Sequence, residues 1–342
     1  MLRKTILTLV KTVLPLLLGV YLIWYFFASM DKKALDLFYN ALYEANYFWI
    51  ILSLVLGFIA YLSRAWRWGL VLEPMGYTTS FWNRYHAIMI GYIVNLTIPR
   101  AGEASRSAML YRSDGVPFSN SFGTVIAERA IDLIMLLVVT VLTALMGMND
   151  FLELKRRIET EFSGNEAVQN SWWSWTGVLY GIIICIGIVF VYLFIFKPGF
   201  RKKLSGFIKD VLTGVWSIFK CKNPWSYMFH SLIIWFCYII MFIMPFYSLE
   251  ETWNVPMEGM MFAFIAGSLG ITLTNGGIGT YPLLVGLVVT FYIQDEQGDN
   301  ALAIGNALGM LIWATQTVLM IALGLLSLVL LPKNYTQENE YT

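Results

Sequence analysis

Arg100, Glu103 and Arg106 follow one another at intervals of three residues, directly after Pro99. On a helix that starts near Gly102, Glu103 and Arg106 share a face, because residues three or four apart are helical neighbours. Glu103 would then sit at the positive end of the helix, where a carboxylate is favoured. The free amides of a helix N-terminus and the forked guanidinium of arginine both suit phosphate oxygens. The trio is expected either to cradle a lipid phosphate or to form an ion pair at a helix end.

Glu128, Arg129 and Asp132 form a second constellation. Glu128 and Asp132 are spaced i, i+4, and Arg129 and Asp132 i, i+3, so the three can pair with one another. They lie in an apolar stretch, with Glu128 about 15 Å from its start at 1.5 Å per residue. An isolated charge deep in a bilayer costs about 2.5–3.5 kcal/mol, so charge there marks a functional site by default. A purely structural ion-pair lock is the other reading. A pairing of Glu128 with Arg100 or Arg106 would make both true.

A third motif is uncharged. Leu273-Thr274-Asn275-Gly276-Gly277-Ile278-Gly279-Thr280 parallels Leu96-Thr97-Ile98-Pro99-Arg100-Ala101-Gly102-Glu103. In each, a glycine follows the leucine by six residues, and each interrupts a hydrophobic run. Unwound backbone is tolerated at membrane depth where it is buried or lines a cavity, so paired interruptions point to a midplane site. Thr280 suits an N-cap and Pro282 the first turn of the helix that follows. Asn95, Pro99, Thr274, Asn275, Gly276, Gly277, Gly279 and Thr280 are expected along a substrate path. A Gly-rich kink for helix packing is the alternative for the second motif.

Other residues carry less. Arg64 and Arg67, interleaved with Trp66 and Trp68, read as snorkelling arginines among interfacial tryptophans. His86 and His230 are isolated, and Cys185, Cys221 and Cys237 lack zinc or disulfide spacing, so no metal is expected. No nucleophile–base pair, HExxH motif or P-loop is present, so neither an enzyme nor a cofactor is expected. Transport, if any, would be passive, ion-coupled or driven by a partner.

The elements that must position these residues are membrane helices. The 342 residues are 58% hydrophobic and 13% charged, about half the charge of a soluble domain. The net charge of +1 gives no reason to expect a nucleic-acid partner. Apolar runs predict full spans at about 12–29, 47–68, 119–147, 175–196, 226–248 and 301–331. Two segments, 85–98 and 258–294, end at or are cut by the breaks and are expected to be re-entrant. The second should divide into halves of about 17 and 14 residues, each too short to cross alone.

The chain therefore reads as one all-α polytopic membrane domain over 1–342, with about six full spans plus two re-entrant broken helices. Its halves, about 12–147 and 175–331, would form an inverted repeat. The basic start leads into a long run without a clean cleavage site, so it reads as an uncleaved span rather than a secretory signal. With both termini cytoplasmic, seventeen of the 23 basic residues fall inside, five outside, and Arg129 within a span. Residues 148–172 read as an outer loop. Residues 200–219 read as an amphipathic helix on the inner leaflet or as an ordinary basic loop.

Asn95, Pro99-Arg100-Ala101-Gly102-Glu103, Arg106, Glu128-Arg129, Asp132 and Gly276-Gly277-Ile278-Gly279 together resemble the lysylphosphatidylglycerol synthase transmembrane-region family. This is the flippase-like membrane domain of the multiple peptide resistance factor, and it is similar to membrane domains associated with some glycosyltransferases. The resemblance covers about 10–331. It implies a flippase-type fold with re-entrant helices, and lipid substrates such as aminoacylated phospholipids or polyprenyl-phosphate-linked sugars. Two departures stand out. No stretch matches the soluble aminoacyl-transferase domain of the full synthases. Pro282 stands where many members carry a glutamate, which weakens any expectation of lysyl-lipid specificity.

The expected function is lipid translocation across the cytoplasmic membrane. Arg100 and Arg106 would hold the lipid phosphate, together with the Gly102 backbone. Glu103, Glu128 and Asp132 would balance charge or take a cationic headgroup, and Arg129 would order the carboxylates. The expected partners are anionic or phosphate-bearing lipids, with a lipid-modifying enzyme or glycosyltransferase as a further candidate. The alternative is a membrane subunit that scaffolds such an enzyme without transporting. A membrane transferase is the third and weakest reading.

Overall fold

The computed structural model describes Tyr21, Trp24 and residues 32–98, 101–148 and 223–332. Apart from Tyr21, Trp24 and Met148, the expected span at 12–29, the loop at 148–172, the span at 175–196 and the amphipathic stretch at 200–219 lie outside them. So do Pro99 and Arg100. The described residues form an all-helical structure without strands.

Helix α1 (Lys32–Glu44) leads into α2 (Tyr47–Leu72). Asn46 caps α2, its side chain accepting from the Phe48 amide at 3.1 Å. The 26 residues of α2 reach about 39 Å, enough for a hydrocarbon core of about 30 Å. Helix α3 (Phe81–Thr97) has 17 residues and stops at the first break, where Ile98 turns extended. After it come α4 (Gly102–Asp114), ended by Gly115 at φ +70°, and α5 (Phe118–Met146).

The second set starts with α6 (Pro224–Ile243), with proline in its first turn, continued by a 3-10 turn through Ser248. Helix α7 (Met257–Leu273) also has 17 residues and stops at the second break. Helix α8 (Thr280–Gln297) follows, then a turn at Gly298–Asn300 and α9 (Ala301–Leu330). The half after the break is therefore 18 residues rather than the expected 14, because Thr280 and polar Asp295–Gln297 are helical too. By length and apolarity, Tyr47–Met75, Pro224–Ser248 and Thr280–Leu330 are candidate membrane spans.

Some spacings recur between the two sets. Tyr47 and Pro224, which open α2 and α6, are 177 positions apart, the same separation as Leu96 and Leu273. Helices α3 and α7 are equal in length, and α5 and α9 differ by one residue. Helices α2 and α6 pack antiparallel: Ser53 Oγ donates to the Met241 carbonyl at 2.6 Å, and Ser63 Oγ lies 2.9 Å from His230 Nδ1. The apolar core has two parts. One, around Trp68, Ile88, Leu110 and Val125, joins α2 to α5. The other, around Phe246, Val285, Ala307 and Leu308, joins α6 to α9.

Candidate functional site

The first break is closed by its own sequence. Asn95 Oδ1 accepts from the Gly102 amide at 2.7 Å, taking one of the N–H groups a helix start leaves unpaired. A side chain at Gly102 would strike the Gly91 carbonyl and Asn95, so α3 and α4 approach more closely than any other residue there would allow. Glu103 falls in the first turn of α4, as expected.

The second break is a turn of glycines. Gly276, Gly277 and Gly279 have φ of +61°, +76° and +74°, a region costly for other residues. Gly279 takes the N-cap position of α8 that Thr280 was expected to fill. Thr280 faces backward instead: its hydroxyl donates to the Gly270 carbonyl at 2.7 Å and lies 2.6 Å from Thr274 Oγ1. The Gly270 carbonyl, in the last turn of α7, also accepts from the Thr274 amide at 3.3 Å. Trp313 of α9 donates its indole N–H to the Gly276 carbonyl at 2.8 Å, which fixes the turn from the other side.

Beside the first break lies a charge cluster. Asp132 accepts from Arg67 Nη2 at 3.0 Å and is in close contact with Arg64 Nη2. Arg106 Nη1 donates to Glu128 Oε2 at 2.8 Å, and its guanidinium lies 3.7 Å from the centre of the Trp68 ring. Arg129 Nη2 is 3.1 Å from Glu103 Oε1, and its Nη1 is 3.8 Å from Asp132 Oδ2. Arg64, Arg67, Arg106 and Glu128 are at most 4% exposed, whereas the Arg129 side chain is 42% exposed. Buried charges persist when paired and hydrogen-bonded. The bridges to Asp132 from Arg64 and Arg67 and the Arg106–Glu128 bridge are therefore locked, and the Arg129–Glu103 bridge is half open.

Arg64 and Arg67 are the residues sequence reasoning missed. They do not snorkel: both are buried against Asp132, with Arg67 also donating to Ser231 Oγ at 3.1 Å. Their i, i+3 spacing in an apolar helix, matched to an acidic residue in another, was the signal. Of the tryptophans beside them, Trp66 is exposed but Trp68 is fully buried, its indole donating to Thr124 Oγ1 at 2.9 Å.

A cavity of about 1150 Å³ joins the parts. Asn95 and Leu96 of the first break, Thr274 and Gly276 of the second, and Glu103, Arg129 and Asp132 of the cluster all line it. Phe242, Phe264, Ile271 and Leu273 give it an apolar wall. A volume of this size exceeds the usual small-molecule pocket of about 300–1,000 Å³. Gly102 and Arg106 line a separate void of about 10 Å³ instead. Glu128, Gly277, Gly279 and Thr280 lie outside the lining of both.

A family profile described as the lysylphosphatidylglycerol synthase TM region matches residues 12–304. The chain is also similar to a UPF0104 membrane protein of Methanocaldococcus jannaschii, 28% identical over 108 residues. That match covers 31% of this chain and 32% of the archaeal protein, so it spans about a third of its relative's length. No solved structure matches.

Proposed function

The chain belongs to the lysylphosphatidylglycerol synthase transmembrane-region family, a group of multi-pass membrane proteins, and from that premise we propose that it translocates a phosphate-bearing lipid. The substrate class is a phospholipid or a polyprenyl-phosphate-linked lipid, and the membrane is the cytoplasmic one, with both termini inside. The protein acts by binding and passage, without catalysis. One observation carries this reading: a single cavity is lined by both helix breaks and by the charge cluster, with an apolar wall for acyl or prenyl carbon.

The reading has an architecture. Helices α3 and α7–α8 are re-entrant, entering from opposite faces, beside about six full spans. The equal lengths of α3 and α7, the 177-residue offset and the antiparallel α2–α6 pair support an inverted repeat. The charged first break holds the headgroup, and the neutral second break shapes its path.

Reconstitution in liposomes with labelled lipids tests the proposal. Wild type is expected to move lipid faster than empty vesicles, and Arg129→Gln to slow it. Movement no faster than in empty vesicles overturns the reading.

A further inference from the structure

Arg106 stands in the wrong place to touch a ligand in the large cavity, yet it has hydrogen-bonding capacity to spare. Nη1 is committed to Glu128, but Nε and Nη2 are buried without a partner among the described residues. Glu103 Oε2 is also buried without one, while its Oε1 holds Arg129. Glu103 and Arg106 are i, i+3 on α4, and both line the void of about 10 Å³ behind the first break. Residues at that spacing can pair by a change of side-chain rotamer.

We propose that Glu103 is exchanged between two arginines. In the present arrangement it holds Arg129. When a lipid phosphate reaches Arg129, Glu103 turns onto the unused N–H edge of Arg106. The inference rests on the translocase reading and sharpens it: Arg129 is the group that touches phosphate, and Arg106 is a positioning residue that receives the displaced carboxylate.

The exchange keeps the ion pairs in balance. Glu103–Arg129 is lost, phosphate–Arg129 and Glu103–Arg106 are gained, and no carboxylate is left bare where burial makes a lone charge costly. Glu128 keeps Arg106 Nη1, and Asp132 keeps Arg64 and Arg67. Tyr92 of α3 and Arg64 of α2 also line the void, and Arg129 faces it from α5. The half-exposed Arg129, at 3.1 and 3.8 Å from its carboxylates, is the looser member of the cluster. A phosphodiester oxygen suits it, because a guanidinium fork matches phosphate.

The test uses the full chain in detergent, titrated with fluorescent phosphatidylglycerol, for wild type, E103Q, R106K and the double variant. Lysine keeps a cation for Glu128 but removes the planar edge offered to Glu103. E103Q should bind tighter, by up to about 5-fold, because the Glu103–Arg129 bridge it removes outweighs the Glu103–Arg106 pair it forgoes. R106K should bind more weakly than wild type, and that loss should vanish in the E103Q background. Unchanged or weaker binding by E103Q overturns the exchange, as does an equal R106K loss in both backgrounds. If R106K does not fold, the E103Q arm decides alone. Inorganic phosphate serves as competitor: failure to displace the lipid supports a lipid headgroup, whereas full displacement at millimolar concentration overturns the lipid as the source of the anion. A wild type that binds no phosphatidylglycerol overturns the exchange on this lipid, whereas movement of other lipids in liposomes would leave the translocase reading standing.

Discussion

The side chain of Leu96, in the last turn of α3, lies against the backbone of Gly276 in the second break. A Cβ on Gly276 would come 2.6 Å from Leu96 Cδ2. The two interruptions therefore touch, although 180 positions separate these residues. Gly276→Ala meets both a steric clash and a left-handed φ of +61°. The backbone term alone costs about 1–2 kcal/mol. A drop of several degrees in melting temperature is expected, and adding Leu96→Ala should restore only part of it. Full restoration would show that φ contributes nothing.

Asp132 and Arg129 should separate stability from transport. Asp132→Asn leaves Arg64 and Arg67 buried beside a neutral group, and breaking a buried pair costs about 3–5 kcal/mol. At about 2 °C per kcal/mol for a chain of this size, melting should fall by roughly 6–10 °C. Arg129→Gln removes a half-exposed bridge worth about 0–1 kcal/mol. It should melt near wild type yet move lipid slowly. Thermal denaturation and liposome transport on the same preparations check both.

Glu128 and Arg106 should be strongly non-additive. Glu128→Gln strands the Arg106 guanidinium beneath Trp68 and should lower melting sharply. Removing both charges, as Glu128→Leu with Arg106→Met, should be milder than either single loss, because no unpaired charge remains. A double variant as unstable as the sum of the singles would contradict the pairing.

Trp313→Phe keeps a ring beside the second break but deletes the N–H that holds the Gly276 carbonyl. The expected loss is about 1 kcal/mol. Thr280→Val should cost about 1–3 kcal/mol, because it removes two hydrogen bonds at once, one to the Gly270 carbonyl and one with the Thr274 hydroxyl. Melting curves should rank Thr280→Val below Trp313→Phe.

The breaks were legible because proline, clustered glycines and charge punctuate an apolar run in few other ways. Glu128 and Asp132 were legible for the same reason, since isolated charge deep in an apolar helix demands a partner. Arg64 and Arg67 were misread. Arginine beside tryptophan near a helix end looks the same in sequence whether it snorkels or turns inward. Thr280 was misread because a Ser/Thr before a helix fits an N-cap, while Gly279 at φ +74° had already taken that place.

By itself the sequence determined the all-helical membrane class, the family, the positions of both breaks and the presence of charge beside the first. Hydrophobic periodicity and residue conformational limits are local, and locality is enough for these. The tertiary structure alone decided the partners: Asp132 with Arg64 and Arg67 of α2, Glu128 with Arg106, Arg129 with Glu103, and Leu96 against Gly276. Which charge meets which depends on how helices pack across the fold. A buried ion pair fixes that choice only once both helices are in place, because its attraction falls with distance and its desolvation cost arises only on burial.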